Sequence, residues 1–223
     1  MGDHAAHGRE DLTEADLSPE ELEAGRLLFA KPCGFVYAVA TLDRLPPPGL
    51  PEVAMLGRSN VGKSSLINAL TNRTDLARVS NTPGRTQQLN FFDLGGQLLL
   101  VDMPGYGHAE APKSEIARWT KVIKQYLQGR VPLRRLVLLV DGRHGLKAID
   151  HEQLTLLDRA AVATQVVLTK IDKVRAADQP ALIAATEAGL KRHPSAFPRV
   201  LPTSAETKAG IPELRAMLAG FAG

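Results

Sequence analysis

The chain has 223 residues, 44% hydrophobic and 23% charged, an ordinary globular composition long enough for one large core. No apolar run reaches the length of a membrane span, and the acidic start lacks the apolar stretch of a secretory signal. The single Cys33 has neither a disulfide partner nor a Cys/His set for zinc, so a cytoplasmic protein is expected, with Cys33 as a small buried hydrophobe. The net charge of +3 is unevenly spread: residues 1 to 24 carry eight acids and one base, a net of −7, which leaves +10 on the remainder. A basic body favours a polyanionic partner such as RNA, although solvation by surface lysines and arginines accounts for the charge equally well.

Residues 1 to 17 read as an acidic flexible leader, and 18 to 223 as a single domain. Ser18-Pro19-Glu20-Glu21 supplies an N-cap, a proline in the first turn and a glutamate at the third position, predicting a helix to about Ala30. Phe35 to Leu42 is extended, and Pro46-Pro47-Pro48-Gly49 separates it from the apolar strand Val53 to Leu56. A helix-like segment runs from Ser65 to Leu70. Leu89 to Leu94 and Gln97 to Asp102 flank Gly95-Gly96, the pattern of a hairpin. Ile116, Trp119, Ile123 and Leu127 form a core-facing helical stripe within 112 to 128, with Arg118, Lys121 and Lys124 falling largely away from it. Strands follow at Leu136 to Asp141, Gln165 to Thr169 and Arg199 to Pro202, separated by helical material. The alternation predicts a three-layer α/β/α fold whose central sheet is mainly parallel with one antiparallel edge strand.

The chemistry begins at Gly57-Arg58-Ser59-Asn60-Val61-Gly62-Lys63-Ser64, a phosphate loop placed between a strand and a helix. In that context backbone N–H groups and the helix N-terminus cradle a nucleotide polyphosphate. Lys63 reaches the β- and γ-phosphates, and the Ser64 hydroxyl ligates the bridging Mg²⁺. Asp102-Met103-Pro104-Gly105 ends an apolar strand, where the carboxylate can hold the Mg²⁺ shell through water and the Gly105 N–H can touch the γ-phosphate. Thr169-Lys170-Ile171-Asp172 also ends a strand. An aspartate there accepts from N1–H and the exocyclic amine of guanine, a donor pair that adenine lacks, while Lys170 is expected along the base and ribose. Thr203-Ser204-Ala205 follows the last strand and resembles the S-A loop of GTPases, in which the Ala205 N–H would face guanine O6. Asn81-Thr82-Pro83-Gly84-Arg85-Thr86-Gln87-Gln88 lies between the phosphate loop and Asp102, where Thr86 is the candidate second Mg²⁺ ligand. Lys63, Thr86 and Gly105 are thus the candidate catalytic groups around GTP.

These motifs together resemble the EngB (YihA/YsxC) family of bacterial ribosome-biogenesis GTP-binding proteins, within the translation-factor class of P-loop NTPases. The resemblance spans about Pro19 to Phe221, and the Asn81 to Gln88 string and Asp102-Met103-Pro104-Gly105-Tyr106-Gly107 are its most specific parts. It implies GTP/GDP and Mg²⁺ binding, a role in assembling the large ribosomal subunit from rRNA and ribosomal proteins, and an association with normal cell division and septation. His108 and Glu110 depart from the aromatic and lysine expected of the family.

Tyr106 stands where many small GTPases carry the glutamine that orients the attacking water, so slow hydrolysis that a partner stimulates is expected. Asn60 matches an asparagine that helps related GTPases hold K⁺ beside the phosphates. A phosphotransferase acting on a small acceptor would tolerate ATP, which does not fit Asp172, and a nucleic-acid module with vestigial nucleotide binding would not need Lys63, Ser64, Asp102 and Asp172 together. Nothing suggests a dimer helix, so a monomer is expected.

Overall fold

The computed structural model describes residues 17–41, 44–77, 88–107, 121 and 123–223. Helix α1 (Pro19–Phe29) starts with a reciprocal cap: Glu21 N–H donates to Ser18 Oγ at 3.2 Å, and Ser18 N–H donates to the Glu21 carboxylate at 2.9 Å. Strands β1 (Cys33–Val39) and β2 (Glu52–Gly57) follow, then α2 (Lys63–Thr71) and the hairpin of β3 (Leu89–Leu94) and β4 (Leu98–Asp102). The second half alternates β5 (Leu133–Asp141), α3 (Ala148–Arg159), β6 (Thr164–Thr169), α4 (Gln179–Leu190), β7 (Leu201–Pro202) and α5 (Ile211–Ala219).

The strand order is β1-β3-β4-β2-β5-β6-β7. All pairings from β4 to β7 are parallel, and β3 alone runs against the rest. This antiparallel strand sits one place in from the margin, with β1 outside it. The partner also sets the limits of β1: Cys33 lies opposite Leu94 and Val39 opposite Leu89, so β1 starts and stops with β3 rather than running from Phe35 to Leu42. Leu42 and the acidic residues 1–16 lie outside the described residues.

Every residue of β2 is buried, as a strand covered on both faces requires. Val53 and Met55 join the core beneath α1, α2 and α5, while Ala54 and Leu56 join the one beneath α3 and α4. Residues 123–129 are helical, and Ile123 and Leu127 pack into the second core; Ile116 and Trp119 lie outside the described residues. Cys33 is buried, which pushes its thiol up to about 11.

At the start of β2, Glu52 is wholly buried. Its carboxylate accepts the Tyr126 hydroxyl at 2.8 Å and Arg130 Nε at 3.0 Å from each oxygen, and Arg130 also donates to the Pro46 carbonyl at 2.8 Å. Motif residues lie at the opposite end of the same strand.

Candidate functional site

β2 ends at Gly57 and α2 begins at Lys63, so the intervening residues must reverse into the helix within one tight loop. Val61 N–H donates to the Arg58 carbonyl at 3.1 Å, and Asn60 and Gly62 take positive φ angles of 61° and 101°. Gly62, as N-cap, offers no side-chain cap, which leaves first-turn amides to serve whatever the loop encloses.

The strand-end loop after β4 is fastened to this turn. Met103 N–H donates to the Met55 carbonyl at 3.0 Å, Tyr106 N–H to the Gly57 carbonyl at 3.1 Å, and Ser59 N–H to the Tyr106 carbonyl at 3.1 Å. Gly105 fits because a Cβ there would stand 3.3 Å from the Gly57 carbonyl oxygen, Ser59 N and Ser59 Oγ. A side chain there would need the phosphate-loop backbone to give by a few tenths of an ångström. Lys63 and Asp102 meet as an ion pair, with side chains 12% and 7% exposed.

The Thr169 to Asp172 loop approaches from the other side. The Thr169 hydroxyl donates to the Val61 carbonyl at 2.6 Å, and Lys170 Nζ donates to the Asn60 carbonyl at 2.6 Å. Ile171 N–H donates to the Thr203 carbonyl at 3.1 Å, and Thr203 N–H to the Leu168 carbonyl at 2.7 Å, which seats 203–205 beside 169–172. A hydrogen bond from the Ser204 hydroxyl, assisted by Lys173 at 3.1 Å and opposed by burial, holds the Asp172 carboxyl below its usual range. Ionised, it can accept two N–H donors side by side.

Phosphate loop, Asp102 to Gly105, Thr169 to Asp172 and Thr203 to Ala205 are therefore assembled at one end of the sheet, beyond the carboxyl ends of β2, β4, β6 and β7. Gln88 is an exposed residue immediately before β3, while Gly84, Arg85, Thr86 and Gln87 lie outside the described residues, as do His108 and Glu110.

Sequence reasoning missed two groups. Asp141, at the end of β5, accepts Lys170 Nζ at 2.9 Å and Arg143 Nη2 at 2.8 Å. Burial pushes its carboxyl up, but these hydrogen bonds outweigh it and hold the group far below the carboxylate range. An acid closing an apolar strand, the same pattern that drew attention to Asp102, was the available signal. The second group is Asp150 in the first turn of α3, wholly buried, which accepts the Tyr106 hydroxyl at 2.7 Å. Burial and the Asp150 charge push the phenol far up, so Tyr106 remains a protonated donor. Its ring is turned into the protein, consistent with a residue unable to replace a water-orienting glutamine.

A doubly covered sheet carrying a phosphate loop, a strand-end Asp-x-Pro-Gly loop and a Thr-Lys-x-Asp loop at one end defines a P-loop GTPase. Known proteins agree. The family model described as "50S ribosome-binding GTPase" matches residues 52–170. "Probable GTP-binding protein EngB" from Cereibacter sphaeroides is 56% identical over 207 residues, 91% of this chain and 95% of that protein. Its counterpart in Rhodospirillum rubrum is 53% identical over 216 residues, 95% of this chain and 94% of that protein. A crystal structure of a probable GTP-binding protein engB superposes with a TM-score of 0.57 at 27% identity, covering 75% of this chain and 97% of that one. Era bound to MgGDPNP and nucleotides of 16S ribosomal RNA shares the fold, with a TM-score of 0.63 at 23% identity over 78% of this chain and 57% of Era. The chain belongs to the EngB family of GTP-binding proteins, and it is a GTPase.

Proposed function

We propose that this chain is a GTP-driven switch in the assembly of the large ribosomal subunit. The observation that carries the proposal is that Lys63 pairs with Asp102 while Thr169 and Lys170, neighbours of Asp172, bond the phosphate loop at the same end of the sheet, in a chain whose matching family model is described as ribosome-binding. The residues present suit a magnesium-bound guanine nucleotide. Lys63 and Asp102, brought into contact, are a cation suited to β- and γ-phosphates and an anion suited to the water shell of Mg²⁺. Ser64, in the first turn of α2, and Thr86 would complete the metal's protein ligands. Mg²⁺ would supply positive charge against the developing phosphate charge.

Around that group the chain binds and orients. The amides of Gly57 to Ser64 hold phosphate, Gly105 N–H meets the γ-phosphate, and Asp172 selects guanine with Lys170 and Ala205 at its side. Contacts to the γ-phosphate and Mg²⁺ would order Gly84 to Gln88 and complete the ordering of Asp102 to Gly107, whose backbone is already tied to the phosphate loop, and hydrolysis would release both together with the pre-ribosome. With Tyr106 turned into the protein, hydrolysis is slow until a partner orders the site. Asn60, exposed on the loop, would help hold K⁺ beside the phosphates. Turnover should therefore be higher in KCl than in NaCl at equal ionic strength, and equal rates would remove that role.

The partner is a precursor of the large subunit, rRNA and ribosomal proteins, which the +10 body suits as a polyanion surface. The protein acts as a cytoplasmic monomer, the acidic leader is a solubilising tail, and the connection with cell division and septation follows from ribosome supply. No described helix is long and apolar enough to cross a membrane. Sedimentation with large-subunit particles tests the reading: co-sedimentation in GTP and release in GDP is expected. Equal sedimentation in both nucleotides, or in neither, sinks it.

A further inference from the structure

Tyr106 is gripped from three directions. Its main chain bonds the phosphate loop on both sides, through Gly57 and Ser59. Its hydroxyl crosses to α3 and donates to Asp150 Oδ1 at 2.7 Å. The other Asp150 oxygen accepts Lys147 N–H at 2.8 Å, as the cap of α3, so the acceptor is itself fixed by a helix start.

Arg58 shares the same anchor. Its Nε lies 3.4 Å from Asp150 Oδ1, close enough for an ion pair although it makes no hydrogen bond. Gly107, at φ 83°, comes up against Ile149 in the same first turn. One buried carboxylate therefore joins the phosphate loop, the end of the strand-end loop and the first turn of α3. The nucleotide residues themselves do not require this arrangement: a phenylalanine at 106 would preserve both main-chain bonds.

We propose that Tyr106 is a positioning residue whose phenol, anchored on Asp150, holds the Asp102 to Gly105 loop against the phosphate loop and thereby raises preference for GTP over GDP. The direction follows from geometry. Gly105 is already packed against Gly57 and Ser59, beside the loop that encloses the polyphosphate. A γ-phosphate reaching its N–H finds a donor ordered in advance and avoids the cost of ordering it, whereas GDP has no γ-phosphate to benefit. Removing the phenol oxygen leaves both main-chain bonds but deletes a hydrogen bond to a buried charge, so the loop end is held less firmly.

The test compares a fluorescent GDP with a non-hydrolysable fluorescent GTP analogue on the full chain, its Tyr106→Phe and Asp150→Asn variants, and the double variant. The Tyr106→Phe variant should bind the GTP analogue roughly tenfold more weakly while its GDP affinity stays within about twofold. Asp150→Asn, which keeps an oxygen acceptor but removes its charge, should act in the same direction and more mildly, and it should add little once the phenol is gone, because both variants weaken one contact. Equal weakening for both nucleotides would identify a merely structural tyrosine and overturn the proposal, as would an unchanged ratio. The proposal rests on guanine-nucleotide binding and not on the ribosomal role. A full chain that binds neither nucleotide would sink the site, whereas a full chain that binds both, with Tyr106→Phe showing an unaltered ratio, would sink the latch alone.

Discussion

Two acids, Glu52 and Asp102, are buried at opposite ends of the neighbouring strands β2 and β4, and they are treated differently. Glu52 is enclosed by a phenol and a guanidinium, and Arg130 is tied in turn to Pro46. Asp102 meets Lys63, a point charge on a flexible stem. Planar, multiply bonded partners suit a charge that never has to let go, while a lone ammonium suits one that, on the proposed reading, exchanges its partner for phosphate and metal. The sheet thus has a closed end that holds it together and an exchangeable end that works.

The sharpest way to break this comparison is at the closed end. Glu52→Ala leaves Arg130 buried without its anion and should cost about 3 to 5 kcal/mol in denaturant unfolding, because a buried ion pair is being halved. Its folded fraction should bind GDP within about twofold of the unsubstituted chain. Unchanged stability would mean that the enclosure of Glu52 is incidental.

Asp172→Asn probes the working end. GTP affinity should fall roughly a hundredfold, equivalent to about 3 kcal/mol, and the preference for GTP over inosine triphosphate, which lacks the 2-amino group, should collapse. Stability should move by less than about 1 kcal/mol; a large stability loss would place Asp172 among the structural acids instead. Its lowered pKa fixes the pH behaviour. The ionised form is the favoured one in the fold, so its contribution is present above about 3.9, the ordinary aspartate value, and is lost as pH falls below that. Guanine binding should accordingly show no loss from this group between pH 8 and pH 5.

A smaller effect tests whether the closed end also excludes reagents. Cys33 opens β1 opposite Leu94, beside the hairpin turn at that end, and burial followed by the Asp93 charge raises its thiol to about 11. Alkylation at pH 8 should be slower in the folded chain than in urea by roughly a hundredfold or more. The neutral thiol favours the fold below the unfolded value of about 8.5, and that contribution fades as pH rises toward about 11. Rapid alkylation at pH 8 would show that the β1 end frays.

Legibility in the sequence follows the same division. The phosphate loop, Asp102 to Gly105 and Thr169 to Asp172 could be read because each is a contiguous string whose spacing carries its chemistry, and the strands carrying them are apolar runs. The enclosure of Glu52 could not: Tyr126 and Arg130 stand 74 and 78 residues away, and neither periodicity nor a motif links them. Tyr106 illustrates the boundary. Its place in the motif says which residue is missing, but its partner Asp150 lies 44 residues on, and no motif or spacing links the two. β1 erred by a few residues because its limits belong to β3. Thr86, central to the sequence argument, lies outside the described residues, so its role rests on the proposal.

The packing of α1 against α5 has a consequence for how the chain is made. Gly25 lets the helices touch, since a Cβ there would stand 2.5 Å from Ala216 N, and Leu28 and Phe29 share a core with Leu214 and Leu218. Arg215 of α5 also donates to the carbonyls of Leu70 and Ala69 at 2.9 and 3.1 Å, closing the C-terminal end of α2. Among the described helices, α1 and α2, which carries Lys63, therefore both await α5. The phosphate-binding end reaches its finished packing only after α5 has been translated, and a product arrested before it is left with exposed apolar faces on both helices.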